Sequence, residues 1–220
     1  MRRPRDPFGR PFGRCRLINT GPKPMRRLAP PALCLLALLT APALAESAAQ
    51  SAAQSAAERL PACLACHGES GTSANPGVPS LGAMPADYVV TQLYLFRETQ
   101  RVADPMNAMA EGLSDDDLRT LGEAVAKLPA PKPEANPDPA RMESAKALAA
   151  KHQCGSCHGA DLAGQDQIPR IGAQREDYLV ATLRAYKSGA RAGYDPAMNE
   201  VAQGLSEDDI AALSYYLAHR

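Results

Sequence analysis

Apolar side chains along this chain recur at helical, not alternating, intervals. The stretch PADYVVTQLYLFRETQR (85–101) carries Tyr88, Leu93 and Phe96 through polar surroundings, and Tyr178, Leu183 and Tyr186 occupy the matching places later in the chain. Leu118, Leu121 and Val125 then fall on one helical face, as do Ile210, Leu213 and Leu217. Each of those two faces follows a serine, Ser114 or Ser206, with an acid three residues on, Asp117 or Asp209. That spacing predicts a helix N-terminus whose free N–H groups are bound by both side chains. PARMESAKALAAKHQ (139–153) predicts a further helix leading into a pair of cysteines; its earlier counterpart, SAAQSAAQSAAERL (47–60), has good helix propensity but almost no apolar stripe. Its inner end is expected to order and its start to fray. No stretch alternates in the manner of a strand, so the expected fold is all-α.

Compared with itself, the chain repeats. CLACHG at 63 matches CGSCHG at 154, PSLGAMPADYVVTQL at 79 matches PRIGAQREDYLVATL at 169, and MNAMAEGLSDDDLRTL at 106 matches MNEVAQGLSEDDIAAL at 198, with an offset of 90 to 92. So small a drift marks short loop insertions in a duplicated domain. Prolines at 129, 131, 133, 137 and 139 separate the copies and favour an extended, semi-rigid connector. Two domains, 58–128 and 140–220, joined by a Pro-rich linker at 129–139, are expected.

The beginning of the chain reads differently. Met25, Arg26 and Arg27 precede an apolar stretch from Leu28 to Leu44 that ends on Ala43-Leu44-Ala45 before Glu46, the pattern of a cleaved secretory signal. The Arg- and Pro-rich stretch before Met25 is consistent with an over-long start, so Met1 and Met25 both stand as starts, and 46–57 is expected to be a flexible Ala/Ser/Gln spacer. Residues 1–45 hold nine of the 24 basic residues and one of the 24 acids, leaving a mature chain of 15 basic and 23 acidic residues. A net charge near −8 argues against nucleic acid and suits a soluble exported protein, here the periplasm, meeting a basic docking surface. Cys15 and Cys34 leave with the leader, so Cys63, Cys66, Cys154 and Cys157 are the mature cysteines, all within the repeated motif.

Within a helical turn, residues i and i+3 share a face and i+4 lies beside them. Two thiols so placed can add across the vinyl groups on one edge of a porphyrin while the adjacent imidazole reaches its iron, which makes C-x-x-C-H the c-type haem attachment signal. Cys63, Cys66 and His67 would hold one haem c, and Cys154, Cys157 and His158 a second. A zinc site is disfavoured because 87 residues separate the two cysteine pairs, against about 15 to 20 in zinc ribbons. For the remaining axial position, Met106 and Met198 correspond in the repeat, each followed by Asn and each eight residues before the capping serine. A thioether there favours reduced iron. Met109, which pairs with Val201, is the alternative for the first haem. His152 and His219 lack counterparts and are expected at the surface. Pro79 and Pro169 either offer a carbonyl to the histidine's other ring nitrogen or are ordinary turn prolines.

These paired CxxCHG motifs, the PSLGA and PRIGA turns, the DYVVTQL and DYLVATL helices and the MN…GLSDDDL and MN…GLSEDDI endings resemble the periplasmic dihaem cytochromes of the cytochrome c4 family over about residues 58–219. The resemblance implies two class I cytochrome c domains related by a pseudo-two-fold axis, with haem edges close together and the carbonyls of Pro79 and Pro169 accepting from the ligand histidines' other ring nitrogen. It implies electron passage from a quinol-oxidising complex toward a terminal oxidase, without substrate chemistry. Related dihaem modules also serve as subunits of dehydrogenases, flavocytochromes among them. The chain departs from internal symmetry at Glu123 and Ala124, where the second copy has Tyr215 and Tyr216; weaker terminal-helix packing in the first domain and unequal haem potentials are therefore expected.

Overall fold

The computed structural model describes residues 58–191 and 196–220. The expected leader at 1–45 and spacer at 46–57 lie outside the described residues. Those described belong to one compact unit, and their regular structure is helical. Residues 58–67 form the described part of α1. It is followed by α2 (Ala86–Arg97), α3 (Met106–Ala110) and α4 (Asp115–Ala126). The second half contains α5 (Pro139–Lys151), α6 (Cys154–His158), α7 (Glu176–Ser188), α8 (Ala197–Gln203) and α9 (Glu207–Ala218). A single isolated bridge, Gln165 to Ile168, is the only extended pairing among the described residues.

Local chemistry accounts for the helix ends. Asp138 caps α5 by accepting from the Arg141 N–H, and Pro139 at the first helical position gives up no hydrogen bond. Ser114 and Ser206 accept from the N–H groups of Asp117 and Asp209, whose carboxylates accept in return from the serine N–H groups. The backbone and hydroxyl donors of Ser206 hold the Asp209 carboxyl below its ordinary range. A depressed carboxyl contributes its stability at neutral pH and loses it as the pH falls through the folded-state value. Ser114→Ala is expected to cost about 1 kcal/mol, the usual worth of such a cap, read as a lower melting temperature at neutral pH.

The same pairings recur in both halves: α2 packs on α3 and α4, and α7 on α8 and α9. Close approach of α4 to α2 depends on Gly122, where a Cβ would stand 2.9 Å from both the Ala86 carbonyl oxygen and Val90 Cγ2. The cores differ more than the helices do. In the second half ten buried residues, including Ile210, Leu213, Tyr216 and Leu217, form one cluster. In the first, Phe96, Ala110, Leu113, Leu118 and Leu121 form one cluster, and Met84, Val89 and Val125 a smaller one. Tyr215 and Tyr216 are buried, whereas Glu123 points to solvent.

Between α4 and α5 the chain is non-helical and tied at both ends. Ala83 N–H donates to the Leu128 carbonyl, Glu134 N–H to Ala218, and Asp138 N–H to the Tyr215 hydroxyl. This strap overturns the expectation of a surface His219. Its side chain is 7 % exposed, with Nε2 3.9 Å from Glu134 Oε2 and its ring tilted against that of Tyr215, centroids 4.2 Å apart. His152 is half-buried, with its Nε2 covered. Neither position has a repeat partner from which the covering could be read.

The halves meet through reciprocal contacts. Arg101 donates to the Tyr178 hydroxyl at 3.4 Å, and Arg191, its equivalent, to the Tyr88 hydroxyl at 3.1 Å. Such exchange is what an approximate two-fold relation produces. Around it the symmetry fails: Asp177 accepts from Gly77 N–H, Arg175 donates to the Ser73 carbonyl, and Gln174 makes two bonds to Ser80.

Candidate haem sites

Each C-x-x-C-H motif lies on a helical turn that ends at its histidine. α1 runs through Cys63, Cys66 and His67. In the second half Gln153, left-handed at φ 53°, separates α5 from the motif helix α6. Gly68 and Gly159 follow the histidines at φ 87° and 82°, and at Gly68 a Cβ would come within 2.0 Å of the Thr72 carbonyl oxygen. Only glycine tolerates that reversal. It lets the chain fold back at once, so that Leu81 and Gly82 donate to the Gly71 carbonyl, and Ile171 and Gly172 to that of Leu162.

That fold-back delivers a proline carbonyl to each histidine. His67 Nδ1 lies 2.7 Å from the Pro79 oxygen, and His158 Nδ1 lies 2.8 Å from that of Pro169. A carbonyl only accepts, so each Nδ1 carries the proton and each Nε2 keeps its lone pair. Both rings are 6 % exposed. Burial holds their pKa values below the ordinary imidazole value, opposed by the proline carbonyl. The neutral ring, the form that binds a metal, therefore dominates at neutral pH.

The four cysteines form no disulfide with one another. Cys66 and Cys157 are exposed, while Cys63 and Cys154 are half-buried, and burial raises the latter two thiols' pKa values. Met106 opens α3 and packs against the first-half cluster, which also takes in Leu60 of α1. Met198 in α8 packs with Cys154 against the single second-half cluster. Met109 is 46 % exposed, so of the two first-half candidates only Met106 faces the core.

Sequence reasoning noted that an asparagine follows each methionine but not what it does. Asn107 donates to the carbonyls of Phe96 and Arg101 and accepts from Ala103 N–H. Asn199 donates likewise to Tyr186 and Arg191. Each pins the methionine-bearing turn to the end of the preceding helix.

The Arg101, Arg191, Tyr88 and Tyr178 cluster was also missed, although equivalent arginines in both copies were a visible signal. Arg191, 8 % exposed, donates to Tyr88, Tyr178, Gln92 and Thr182. Among the described residues no carboxylate pairs with it. Burial raises the Tyr88 hydroxyl above the ordinary tyrosine range, whereas the Arg191 and Arg101 charges overcome the burial of Tyr178 and lower it. Its described partners are hydroxyl and amide oxygens, which hold the guanidinium in place between the two halves.

The residues present thus fit a porphyrin of the c type: paired thiols, a neutral buried imidazole with its Nδ1 on a carbonyl, and a core-facing thioether. No group of three or more His, Cys, Asp or Glu among the described residues forms an alternative metal site.

Comparison with known proteins agrees with this chemistry. The family model for cytochrome c matches residues 142–220. Cytochrome c4 of Thiocapsa roseopersicina is 35 % identical over 165 residues, covering 70 % of this chain and 85 % of that protein. The thiosulfate dehydrogenase electron acceptor of Thiomonas intermedia is 32 % identical over 170 residues, 71 % of this chain and 77 % of that one. The crystal structure of reduced cytochrome c4 from Pseudomonas stutzeri superposes with a TM-score of 0.68 at 27 % identity, spanning 76 % of this chain and 97 % of that one.

Proposed function

Because this chain belongs to the cytochrome c4 family, we propose that it is a periplasmic dihaem electron carrier that passes single electrons between respiratory partners, from a quinol-oxidising complex toward a terminal oxidase. One observation carries the reading: in both halves a C-x-x-C-H turn presents a buried histidine whose Nδ1 is engaged by a proline carbonyl. Bound iron would supply reversible Fe(III)/Fe(II) chemistry at each site. Cys63 with Cys66, and Cys154 with Cys157, would tether the groups as thioethers; His67 with Met106, and His158 with Met198, would be the axial ligands. With both axial positions held in this way, no vacancy would remain for oxygen or peroxide, which is why the reading is a carrier and not a peroxidase.

Export through the 1–45 leader belongs to this proposal, since thioether attachment and a net acidic mature chain suit that compartment. Among the described residues no helix is long and apolar enough to cross a membrane. A second reading follows from the Thiomonas relative, which is named as an electron acceptor of thiosulfate dehydrogenase: this chain would then take electrons from a periplasmic dehydrogenase as its dedicated partner.

Purification of the exported protein tests both. The carrier reading expects two haems per chain, a monomeric product without flavin, and a reduced spectrum that carbon monoxide does not change. Carbon monoxide binding would overturn it, and a stoichiometric complex with a dehydrogenase would establish the second reading in its place.

A further inference from the structure

We infer that Gln174, in the second half, is a positioning residue for the axial histidine of the first, and lowers the reduction potential of that haem alone. This rests on the proposed haem ligation by His67.

Gln174 is 4 % exposed. Its Oε1 accepts from Ser80 N–H at 2.8 Å and from Arg175 N–H at 3.0 Å, and its Nε2 donates to the Ser80 carbonyl at 2.9 Å. Two N–H donors at one end and a carbonyl at the other fix the amide's orientation. Ser80 N–H belongs to the same peptide group as the Pro79 carbonyl, which receives the proton of His67 Nδ1. The result is a continuous chain from Gln174 Oε1, through the Pro79–Ser80 peptide, to the His67 ring.

Hydrogen bonds in such a chain polarise one another, by roughly 10–30 % per bond, and most where water is excluded. Withdrawal of the Ser80 proton toward Gln174 makes the Pro79 oxygen a stronger acceptor. A stronger pull on Nδ1–H makes the imidazole a more basic ligand, and a more basic ligand favours the ferric state.

Among the described residues no side chain accepts from the corresponding N–H in the second half. Its corresponding peptide is Pro169–Arg170, and the first-half residue equivalent to Gln174 is Met84, which is buried in the cluster with Val89 and Val125. A thioether neither donates nor serves as more than a weak acceptor. From the first half, the 164–170 loop receives a backbone bond, Tyr88 N–H to the Asp166 carbonyl. The influence therefore runs from the second half to the first.

Two substitutions with opposite expected signs test this in the two-haem holoprotein. Gln174→Met, the residue the other half uses, removes the acceptor. The His67 Nδ1–H proton resonance of the reduced protein is expected to move upfield and the first haem's potential to rise, with His158 and its haem unmoved. Gln174→Glu retains an acceptor and charges it, so both readings are expected to shift the other way. An unmoved His67 resonance in either folded variant, or equal shifts at both histidines, overturns the inference. If Gln174→Met does not fold, the Gln174→Glu resonance decides alone. Failure of the underlying reading is separate: it would appear in the parent protein as fewer than two haems or as a His67 ring without iron-shifted signals.

Discussion

Replacing Cys63 and Cys66 with serine is expected to give a chain with one covalently bound haem and the helices of its first half largely melted, whereas replacing Cys154 and Cys157 also loses one haem but keeps more structure. Both pairs make the same tether, so the difference must come from the protein around it. In the second half Tyr216 joins Ile210, Leu213, Leu217 and six other buried residues in one cluster. The first half divides its buried apolar side chains into two smaller clusters. Domains of about 75 residues bury little apolar area and are marginal on their own, so the less connected core depends more on what is inserted into it. Intact mass and far-ultraviolet circular dichroism of the two double variants measure this directly. Loss of up to about half the helical signal is expected for the first-half variant, because it holds one of two marginal domains. Equal losses would show that the asymmetry of the cores has no energetic weight.

Met198→Ala and Met106→Ala are each expected to remove about half of the sulfur-to-iron absorption of the oxidised protein and to lower the potential of the affected haem, because a thioether favours reduced iron. Met109→Ala is expected to change neither. The distinction follows from packing: Met106 lies against Phe96, Leu118 and their neighbours, and Met109 is 46 % exposed. A full band in Met106→Ala, with loss in Met109→Ala, would reverse the assignment. Titration of the vacated site with carbon monoxide gives a second reading, since an opened axial position binds it and a filled one does not.

Helices, their capping boxes and the two attachment motifs were legible because they rest on spacings within a few residues. The Ser114–Asp117 and Ser206–Asp209 caps formed as their positions require. Repeat matching also singled out Pro79 and Pro169, though only geometry shows their carbonyls 2.7 and 2.8 Å from the histidines. The burial of His219 was illegible for a different reason. It depends on Glu134, 85 residues away, crossing the end of α9, and no periodicity encodes a contact between a linker and a C-terminus.

By itself the sequence determined an all-α chain made of two copies, each with its own thiols, histidine and methionine, because covalent attachment and helix formation are matters of local order. Repeat matching had pointed to Met106 over Met109; tertiary structure alone decided how Arg101 and Arg191 reach across to the opposite tyrosines, and that Gln174 grips the peptide behind His67. Those outcomes depend on long-range packing between surfaces brought together only when both halves fold, where excluded water makes each polar contact strong enough to matter.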